Sequence, residues 1–345
     1  MNILVINDYA FPAGGIETFV DQIILESPSE FSFRIVTWPP YDPDHVRLPS
    51  APTTRVACGD YAQVLREISW ADVLFYQTSW NVRIFGSVLK EYRSGAYKPL
   101  VSVIHTSSNS TEDVQCRNLQ TRLLKDIVAL SDVVVAVSDD VLNSVRPLAP
   151  KEHAKFRKIE NGSRFNARPI NRRAKHTVAY IGRPTKPKGI DVFTQAVRLL
   201  ANTTLRFCIN TVSIPLPQEL NLTLAPMGER VTNQYLLSDE AMSEFYRLTD
   251  LLVVPYRHSD GLPLVILEAL SFGIPILGMN APGVTDILTR HNQHVLTSHD
   301  PQSLAIAIRR WHEGTLEIPT PNPLSVASWA MQTSQYTQIF RKVVL

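Results

Sequence analysis

Short aliphatic runs alternate with amphipathic helical stretches along nearly all of this chain. Uninterrupted aliphatic strands separated by helices are typical of parallel sheets that are covered by helices on both faces. The alternation stops in a segment rich in Arg, Asn and Pro between Gly162 and His176, and then it starts again. A chain of 345 residues is long for one domain and natural for two. The sequence therefore predicts an α/β protein with two parallel domains that face a central cleft, a favoured place for ligands.

The alternation also predicts the individual elements. The predicted strands are Ile3–Ile6, Phe33–Trp38, Asp72–Gln77, Leu100–His105, Asp132–Ser138, Val178–Gly182, Leu205–Asn210, Leu220–Pro226, Leu251–Val254 and Ile274–Gly278. The predicted helices are Ile16–Glu26, Tyr61–Trp70, Val82–Tyr92, Glu112–Leu130, Gly189–Ala201, Asp239–Leu248 and a last helix from Ser328 to Lys342.

The composition limits the class of protein. A net charge of +2 is small, so no nucleic-acid partner is predicted. Three widely separated cysteines and nine scattered histidines give no disulfide framework and no metal-ligand spacing, which favours a reducing cytoplasm and predicts no bound metal. No apolar run approaches the ~20 residues of a membrane span, and the N-terminus lacks the features of a signal peptide. We therefore expect a cytoplasmic protein, for which peripheral association with the cytoplasmic face of a membrane stays open.

The stretch that surrounds Pro263 carries the most chemistry. It places the carboxylates of Asp260 and Glu268 eight residues apart, around a Gly-x-Pro turn that opens a helix. Pro263 suits the first helical position, because its missing N–H would be unpaired there. The amides of Leu264 and Val265 then point out of the positive end of the helix, which suits a phosphate. The order of carboxylate, phosphate-binding end and second carboxylate matches a nucleotide-sugar, with its sugar hydroxyls, diphosphate and ribose hydroxyls.

The flanking residues favour this interpretation over a simpler one, in which a surface helix follows a Pro turn and carries a single Glu. Leu251–Pro255 and Ile274–Gly278 are both of strand length, so the stretch is the loop and helix of a parallel β-α-β unit. Gly273 and Pro275 are expected to end the helix. Because ligands of open α/β sheets bind at the carboxyl ends of the strands, the loop before the helix is a candidate site.

A second loop, Gly182–Gly189, also follows a predicted strand and precedes a helix. It contains Arg183 and Lys188, with Lys186 as a third cation. Cations fixed at the end of a strand could neutralise a diphosphate leaving group, on which negative charge grows when a glycosyl bond breaks. A solvated basic loop is the alternative, and the neighbouring phosphate-binding helix end makes that alternative less favoured.

The first half of the chain adds two candidates. Gly14 and Gly15 follow the first strand and allow the backbone to approach an anion closely, although a flexible turn would have the same composition. His105 ends the fourth predicted strand, where it could hydrogen-bond a sugar hydroxyl or transfer a proton, and a structural histidine is the alternative. Asn161 and Gly162, which close the first domain, are interpreted as a turn.

These features occur together and in order: Gly14-Gly15-x-Glu17, His105 at a strand end, Gly182-Arg183-x4-Lys188-Gly189, and two carboxylates spaced as E-x7-E. The chain thereby resembles the retaining GT-B glycosyltransferases of family 4, the glycosyl transferases group 1, over almost its whole length. The resemblance implies two Rossmann-like domains and a C-terminal helix that crosses back to the first domain. It places an acceptor-side domain at residues 1–165, a nucleotide-sugar donor domain at 166–325 and the returning helix at 326–345.

The resemblance also implies a role for each motif residue. Arg183 and Lys188 would hold the diphosphate, and Glu268 would bind the ribose hydroxyls. Asp260 would contact a hydroxyl of the donor sugar, and His105 would lie beside the transferred sugar. The implied catalytic residues are thus His105, Arg183, Lys188 and Asp260, and the implied donor-binding residues are Gly14, Gly15, Arg183, Lys188, Asp260, Gly261, Leu262, Pro263, Leu264, Val265 and Glu268.

The implied reaction is transfer of a hexose, with retained configuration, from a UDP- or GDP-sugar to an acceptor hydroxyl. No cofactor and no metal are expected, because cationic side chains and a helix end take the place of the metal. The acceptor would be a glycan, a lipid or a small-molecule glycoside, and loops around Met227-Gly228 and Tyr235–Ser238 would contact the base. The alternatives are a sugar-nucleotide epimerase of the same architecture and a catalytically weak protein that only binds nucleotide-sugars.

Two positions depart from the family pattern. The first motif carboxylate is Asp260 rather than Glu, so its reach is shorter by one methylene, which raises the alternative of a weak or non-catalytic protein. Where the family often has Asn-Gly-Val-Asp, this chain has Asn161-Gly162-Ser163-Arg164. A cation therefore replaces an anion near the predicted hinge.

Overall fold

The computed structural model describes residues 1–7, 14–37, 53–55, 60–78, 88–92, 97–107, 114–165, 176–212, 214–235, 238–258 and 260–345. The chain divides into two compact units. Unit 1 comprises Met1–Gly162, Asp260–Leu262 and Trp329–Leu345, and unit 2 comprises Ser163–Ser259 and Pro263–Ser328. The acceptor-side and donor-side roles of the two domains, and the cleft between them, stay predictions.

Unit 1 is built on one parallel sheet. Its strands are β1 (Asn2–Asn7), β2 (Ser32–Thr37), β3 (Thr53–Arg55), β4 (Val73–Gln77), β5 (Leu100–Ile104), β6 (Val133–Ala136) and β7 (Phe156–Lys158). They pair in the order β3-β2-β1-β4-β5-β6-β7. Its helices include α1 (Gly15–Leu25), α2 (Tyr61–Trp70), α3 (Val114–Leu130) and α4 (Asp139–Val145), with 3-10 turns at Arg146–Leu148 and His153–Lys155. Residues 88–92 are helical too, and the first part of the predicted helix Val82–Tyr92 lies outside the described residues.

Side-chain caps explain where two of these helices begin. The Asp60 carboxylate accepts a hydrogen bond from the Gln63 amide at 3.1 Å, at the start of α2. The Ser138 hydroxyl accepts one from the Val141 amide at 3.2 Å, at the start of α4. Such caps satisfy amide groups that have no partner within the helix, so polar residues after a strand fix the start of the next helix.

The C-terminal helix, α11 (Trp329–Val344), packs within unit 1. Its Trp329 and Tyr336 rings both lie 5.5 Å from the ring of Phe19 on α1. Its Phe340 ring lies 5.0 Å from that of Phe75 on β4. These edge-to-face contacts bury large aromatic area, so the helix is anchored on the first sheet. The predicted return of the last helix to the first domain is confirmed.

Unit 2 is built on a second parallel sheet. Its strands are β8 (Thr177–Ile181), β9 (Arg206–Asn210), β10 (Val231–Gln234), β11 (Leu251–Val254), β12 (Ile276–Met279) and β13 (His294–Leu296), in the order β10-β9-β8-β11-β12-β13. Its helices are α5 (Ile190–Leu199), α6 (Gln218–Leu224), α7 (Asp239–Arg247), α8 (Leu264–Ser271), α9 (Val284–Arg290) and α10 (Pro301–His312), with 3-10 turns at Lys186–Lys188, Ala225–Arg230 and Pro323–Ser325. The predicted α/β class with two parallel sheets is therefore confirmed. Among the described helices, none has the length and apolar character that a membrane crossing requires.

One predicted strand is wrong. Residues 220–226 were expected to be extended, because leucines alternate with polar residues there, but Gln218–Leu224 form α6. The burial follows helical spacing: Leu224 is buried and Leu220 packs on the core, whereas Leu222 is 67% exposed. Three alternating leucines fit a strand and one side of a short helix equally well, so their spacing alone did not separate the two. The strand comes next, at Val231–Gln234.

Candidate active site

The basic loop after β8 is held by a glycine. Gly189 follows the 3-10 turn Lys186–Lys188 and has φ of 67°, in the left-handed region. A Cβ at this position would overlap the backbone carbonyl of Pro255, which follows β11. Because β8 and β11 are neighbouring parallel strands, this close approach joins the two loops at the carboxyl edge of the sheet.

The loop after β11 also positions the cation Lys188. The Lys188 ammonium lies 4.1 Å from the centroid of the Tyr256 ring, in a cation–π arrangement. The Tyr256 ring is buried, so it gives the ammonium a fixed support. On the same loop, the carbonyl of Arg183 accepts a hydrogen bond from the Tyr180 hydroxyl at 2.9 Å, and the Arg183 side chain is exposed. Positive charge is therefore placed at the carboxyl edge of the second sheet.

Helix α8 begins one residue later than predicted. Pro263 has extended geometry, with ψ of 123°, and is the N-cap rather than the first helical residue. Its carbonyl accepts a hydrogen bond from the Ile266 amide at 3.1 Å. Leu264 and Val265 are then the first two helical residues, whose amides precede the helical hydrogen-bond ladder. The shift leaves these two amides at the positive end of the helix, where an anion is stabilised.

The end of α8 lies where the sequence indicates it. Gly273 has φ of 66° and follows the C-cap residue Phe272. The Ile274 amide donates to the Ala269 carbonyl at 3.0 Å, which satisfies one of the last carbonyls of the helix. The helix is thus short and sharply bounded, with Glu268 in its middle.

Glu268 lies in a buried polar network. Its side chain is 4% exposed, and its Oε1 accepts a hydrogen bond from Nε of Arg164 at 2.7 Å. Its Oε2 accepts one from the hydroxyl of Tyr246, also at 2.7 Å. A second nitrogen of Arg164 donates to Asp239 at 2.6 Å. The predicted ribose ligand is therefore a positioned carboxylate, held by one arginine that it shares with a second carboxylate.

The network shifts the titration of its members. Burial opposes the charged form of Arg164, but the carboxylates of Glu268 and Asp239 outweigh it and raise the pKa of Arg164. Burial, together with the adjacent Glu268, raises the pKa of Tyr246 well above its ordinary value. Tyr246 is therefore a hydrogen-bond donor at every physiological pH. In the sequence Arg164 stands out only as a departure from a family pattern, and the structure pairs it with Glu268.

His105 lies at the carboxyl end of β5 in unit 1 and is buried. Its Nε2 is 2.9 Å from Oε1 of Gln77, and its ring meets the Phe19 ring edge-on at a centroid distance of 4.9 Å. Burial lowers the pKa of His105 from 6.5 to about 3. The imidazole is therefore neutral near pH 7, which favours hydrogen bonding over proton transfer as its role.

Residues 260–262 pack beside His105, within unit 1. Gly261 has φ of 64°, and a Cβ there would overlap the backbone carbonyl of His105. The carbonyl of Leu262 accepts a hydrogen bond from the buried Asn161 side chain at 3.0 Å. Asp260 is half-buried at the start of this segment. Asn161, interpreted from the sequence as part of a turn, thus holds the carboxylate motif in place, and no spacing rule points to that contact.

Gly14 and Gly15 lie at the start of α1, which follows β1, an interior strand of the first sheet. Gly14 is the N-cap, and a Cβ there would overlap the carboxylate of Glu17. Glu17, the last residue of the motif, therefore folds back over Gly14, as an acidic residue in the first turn often does. Residues 8–13, the remainder of the predicted glycine loop, lie outside the described residues.

One of the two segments predicted to contact the base lies away from the Lys188 loop. Met227 and Gly228 lie in the turn that precedes β10. Arg230, at the end of this turn, donates to the carbonyls of Ala201 and Thr203, which precede β9. The turn therefore lies at the amino ends of parallel strands, on the opposite edge from the Lys188 loop. The Tyr235–Ser238 segment does follow β10, although residues 236–237 lie outside the described part of the chain.

Within each unit, the structure places the candidate residues at one sheet edge. In unit 1 the carboxyl edge carries the glycine pair, His105 and the Asp260–Leu262 segment. In unit 2 it carries Arg183 and Lys188 after β8, and α8 follows β11, the neighbouring strand. The roles of these residues in binding and catalysis stay predictions.

The second half of the chain is similar in sequence to known glycosyltransferases. Residues 175–313 match the family model for glycosyl transferases group 1. A stretch of 135 residues is 27% identical to TuaC of Bacillus subtilis strain 168, a proposed glycosyltransferase of teichuronic acid biosynthesis. That stretch is 39% of this chain and 32% of TuaC. Residues 175–313, which span most of unit 2, are therefore similar to a glycosyl transferases group 1 domain, as the sequence motifs predict.

Solved structures of similar fold cover nearly all of the chain. HepE of Anabaena, solved in complex with UDP and glucose, has a TM-score of 0.79 at 15% identity and covers 99% of this chain and 100% of its own. Sucrose-phosphate synthase of Thermosynechococcus elongatus has a TM-score of 0.76 at 17% identity and covers 99% of both chains. The protein thus has the fold of the GT-B glycosyltransferases. The fold and the family match together define a GT-B architecture in which residues 175–313 are similar to the glycosyl transferases group 1.

Proposed function

We propose that this protein is a retaining, metal-independent glycosyltransferase that moves a hexose from a nucleoside diphosphate sugar to an acceptor hydroxyl. The observation that carries the proposal is the carboxyl edge of the second sheet. There the Lys188 loop contacts the loop after β11, which leads to the first amides of α8. The cations Lys188 and Arg183, together with a helix end, suit the diphosphate, on which charge grows in the transition state.

We assign the other candidate residues to the remaining parts of the same nucleotide-sugar donor. Glu268 binds the ribose hydroxyls, and Asp260 and the segment Gly261–Leu262 bind the transferred sugar. His105 stays neutral, because burial lowers its pKa to about 3, and so it supports the sugar by hydrogen bonding. The departing phosphate takes the proton of the acceptor hydroxyl. The acceptor molecule is a glycan, a lipid or a small-molecule glycoside. Arg183 and Lys188 replace a metal ion as the counter-charge.

UDP is the nucleotide that we expect this protein to bind. HepE, whose fold is similar, was solved with UDP and with UDP-glucose. This neighbour supports a uridine donor over a guanosine donor for the present chain. The short carboxylate Asp260 supports a second candidate, a catalytically weak nucleotide-sugar binder, which would bind the donor without transferring the sugar.

Thermal unfolding in the presence of UDP, GDP, ADP and TDP tests the proposal. A ligand that binds only the folded state raises the melting temperature. We expect UDP to raise it, Lys188→Ala to weaken UDP binding by about tenfold or more, and Glu268→Gln to weaken it similarly, because each variant loses a charged partner. Lys151→Ala, which alters an exposed lysine between α4 and β7 of unit 1, is the control and should bind UDP like the wild type.

The outcomes separate the candidates. A protein whose melting temperature responds to none of the four nucleotides contradicts the proposal. Release of UDP from UDP-glucose only when a hydroxyl acceptor is added supports the transferase. Epimerised donor formed without an acceptor would identify an epimerase, and tight donor binding with no product would identify the weak binder.

A further inference from the structure

The network around Glu268 is assembled from three separate segments of unit 2. Asp239 and Tyr246 lie about two turns apart on α7, so they share one face of that helix. Glu268 lies on α8, and Arg164 lies just after the chain enters unit 2. Arg164 contacts both helices, because its Nε reaches Glu268 and its Nη1 reaches Asp239.

The guanidinium of Arg164 is held in one orientation. Asp239 fixes one of its nitrogens at 2.6 Å, and its central carbon lies 4.9 Å from the centroid of the Phe165 ring. The preceding residue is fixed too, because the hydroxyl of Ser163 is 2.9 Å from that of Ser271 on α8. The side chain of Arg164 is 13% exposed. Such a planar donor with several fixed contacts orients the carboxylate that it binds.

The Glu268 carboxylate keeps hydrogen-bond acceptor positions that its neighbours in the described part of the chain do not use. A carboxylate offers about four lone-pair positions, two on each oxygen. Among the described residues, Oε1 of Glu268 accepts one hydrogen bond, from Arg164, and Oε2 accepts one, from Tyr246. One position on each oxygen is left, and a ribose presents two neighbouring hydroxyl donors. The carboxylate thus retains the number of acceptors that a ribose diol uses.

We propose that Arg164 is a positioning residue, which together with Tyr246 orients the Glu268 carboxylate to receive the 2′- and 3′-hydroxyls of the donor nucleotide. The proposal rests on the proposed function, in which Glu268 faces the ribose. It adds that the preference for ribose over deoxyribose depends on Arg164, a residue that does not itself contact the nucleotide. The cation that departs from the family pattern at the predicted hinge is, on this proposal, part of nucleotide recognition.

The test compares UDP with 2′-deoxy-UDP by isothermal titration calorimetry. We expect the wild type to bind UDP at least about tenfold more tightly than 2′-deoxy-UDP, since a hydrogen bond to a carboxylate is lost. Arg164→Met should reduce that preference to within about twofold. Tyr246→Phe should give an intermediate preference, because it removes one of the two bonds that orient Glu268. Arg230→Met, which alters a structural arginine at the opposite sheet edge, should keep the wild-type preference.

The ratio separates positioning from general stability, since a merely structural loss weakens both ligands equally. An Arg164→Met protein that keeps the tenfold preference overturns the proposal. If that variant does not fold, Asp239→Asn loosens the guanidinium while leaving Arg164 and Glu268 in place, and a wild-type preference in that variant overturns the proposal equally. A wild type that binds UDP and 2′-deoxy-UDP alike also overturns it, whereas a wild type that binds no nucleotide contradicts the proposed function itself.

Discussion

At the scale of single residues, burial decides what a titratable group does. His105 was a candidate for either hydrogen bonding or proton transfer, and the sequence left both open. Its neighbours Gln77 and Phe19 exclude water from the ring, so the neutral form dominates. The sequence shows a histidine at a strand end, but the burial arises from packing between segments that are distant in the chain.

The buried imidazole predicts a pH dependence of stability. The pKa of His105 is about 3 in the folded chain and near 6.5 when unfolded, so the unfolded state binds the extra proton between these values. The contribution of the neutral His105 to the stability of the fold is therefore fully present above pH 6.5 and is lost as the pH falls toward 3. We expect the free energy of unfolding by urea to fall by about 1.4 kcal/mol per pH unit between pH 6 and pH 4 relative to His105→Gln.

The matched control for that measurement is His153→Gln, which alters an exposed histidine. The control should follow the wild type at each pH. Equal pH slopes for the wild type and His105→Gln would show that His105 is not buried in its neutral form.

At the scale of elements, the sequence predicts strands better than the turns between them. Continuous aliphatic runs predicted β1, β8 and β11 to within one residue at either end, because strands buried on both faces leave a strong signal. The predicted strand at 220–226 was wrong, since three alternating leucines also suit a short helix. Pro263 was placed one position too far into α8, because proline suits the N-cap as well as the first turn there.

Adding one methyl group at Gly189, which joins the loops after β8 and β11, is expected to lower the stability of the fold strongly. Gly189→Ala must accept both a left-handed backbone and an overlap with the Pro255 carbonyl. We expect it to lower the free energy of unfolding by at least about 3 kcal/mol in a urea titration. Gly314→Ala is the control, because Gly314 also has positive φ but nothing lies near its Cβ position. That variant should lose about 1 to 2 kcal/mol, and equal losses for the two variants would contradict the close approach.

At the scale of the whole molecule, the sequence predicted two parallel α/β sheets and the returning terminal helix, and both are confirmed. It did not predict that residues 260–262 group with unit 1 while the helix that follows them groups with unit 2. That division arises from contacts of Gly261 and Leu262 with His105 and Asn161, which lie more than a hundred residues earlier in the chain. Periodicity and motif spacing describe residues that are close along the chain. Contacts between residues this far apart in the sequence leave no such pattern.

The proposed function requires the carboxyl edge of the second sheet to bind a nucleoside diphosphate. A crystal structure of the protein with UDP tests it most directly. We expect the diphosphate to lie against the amides of Leu264 and Val265, with the ammonium of Lys188 in contact and the ribose hydroxyls on Glu268. UDP bound at another surface, or bound with its ribose away from Glu268, would contradict it.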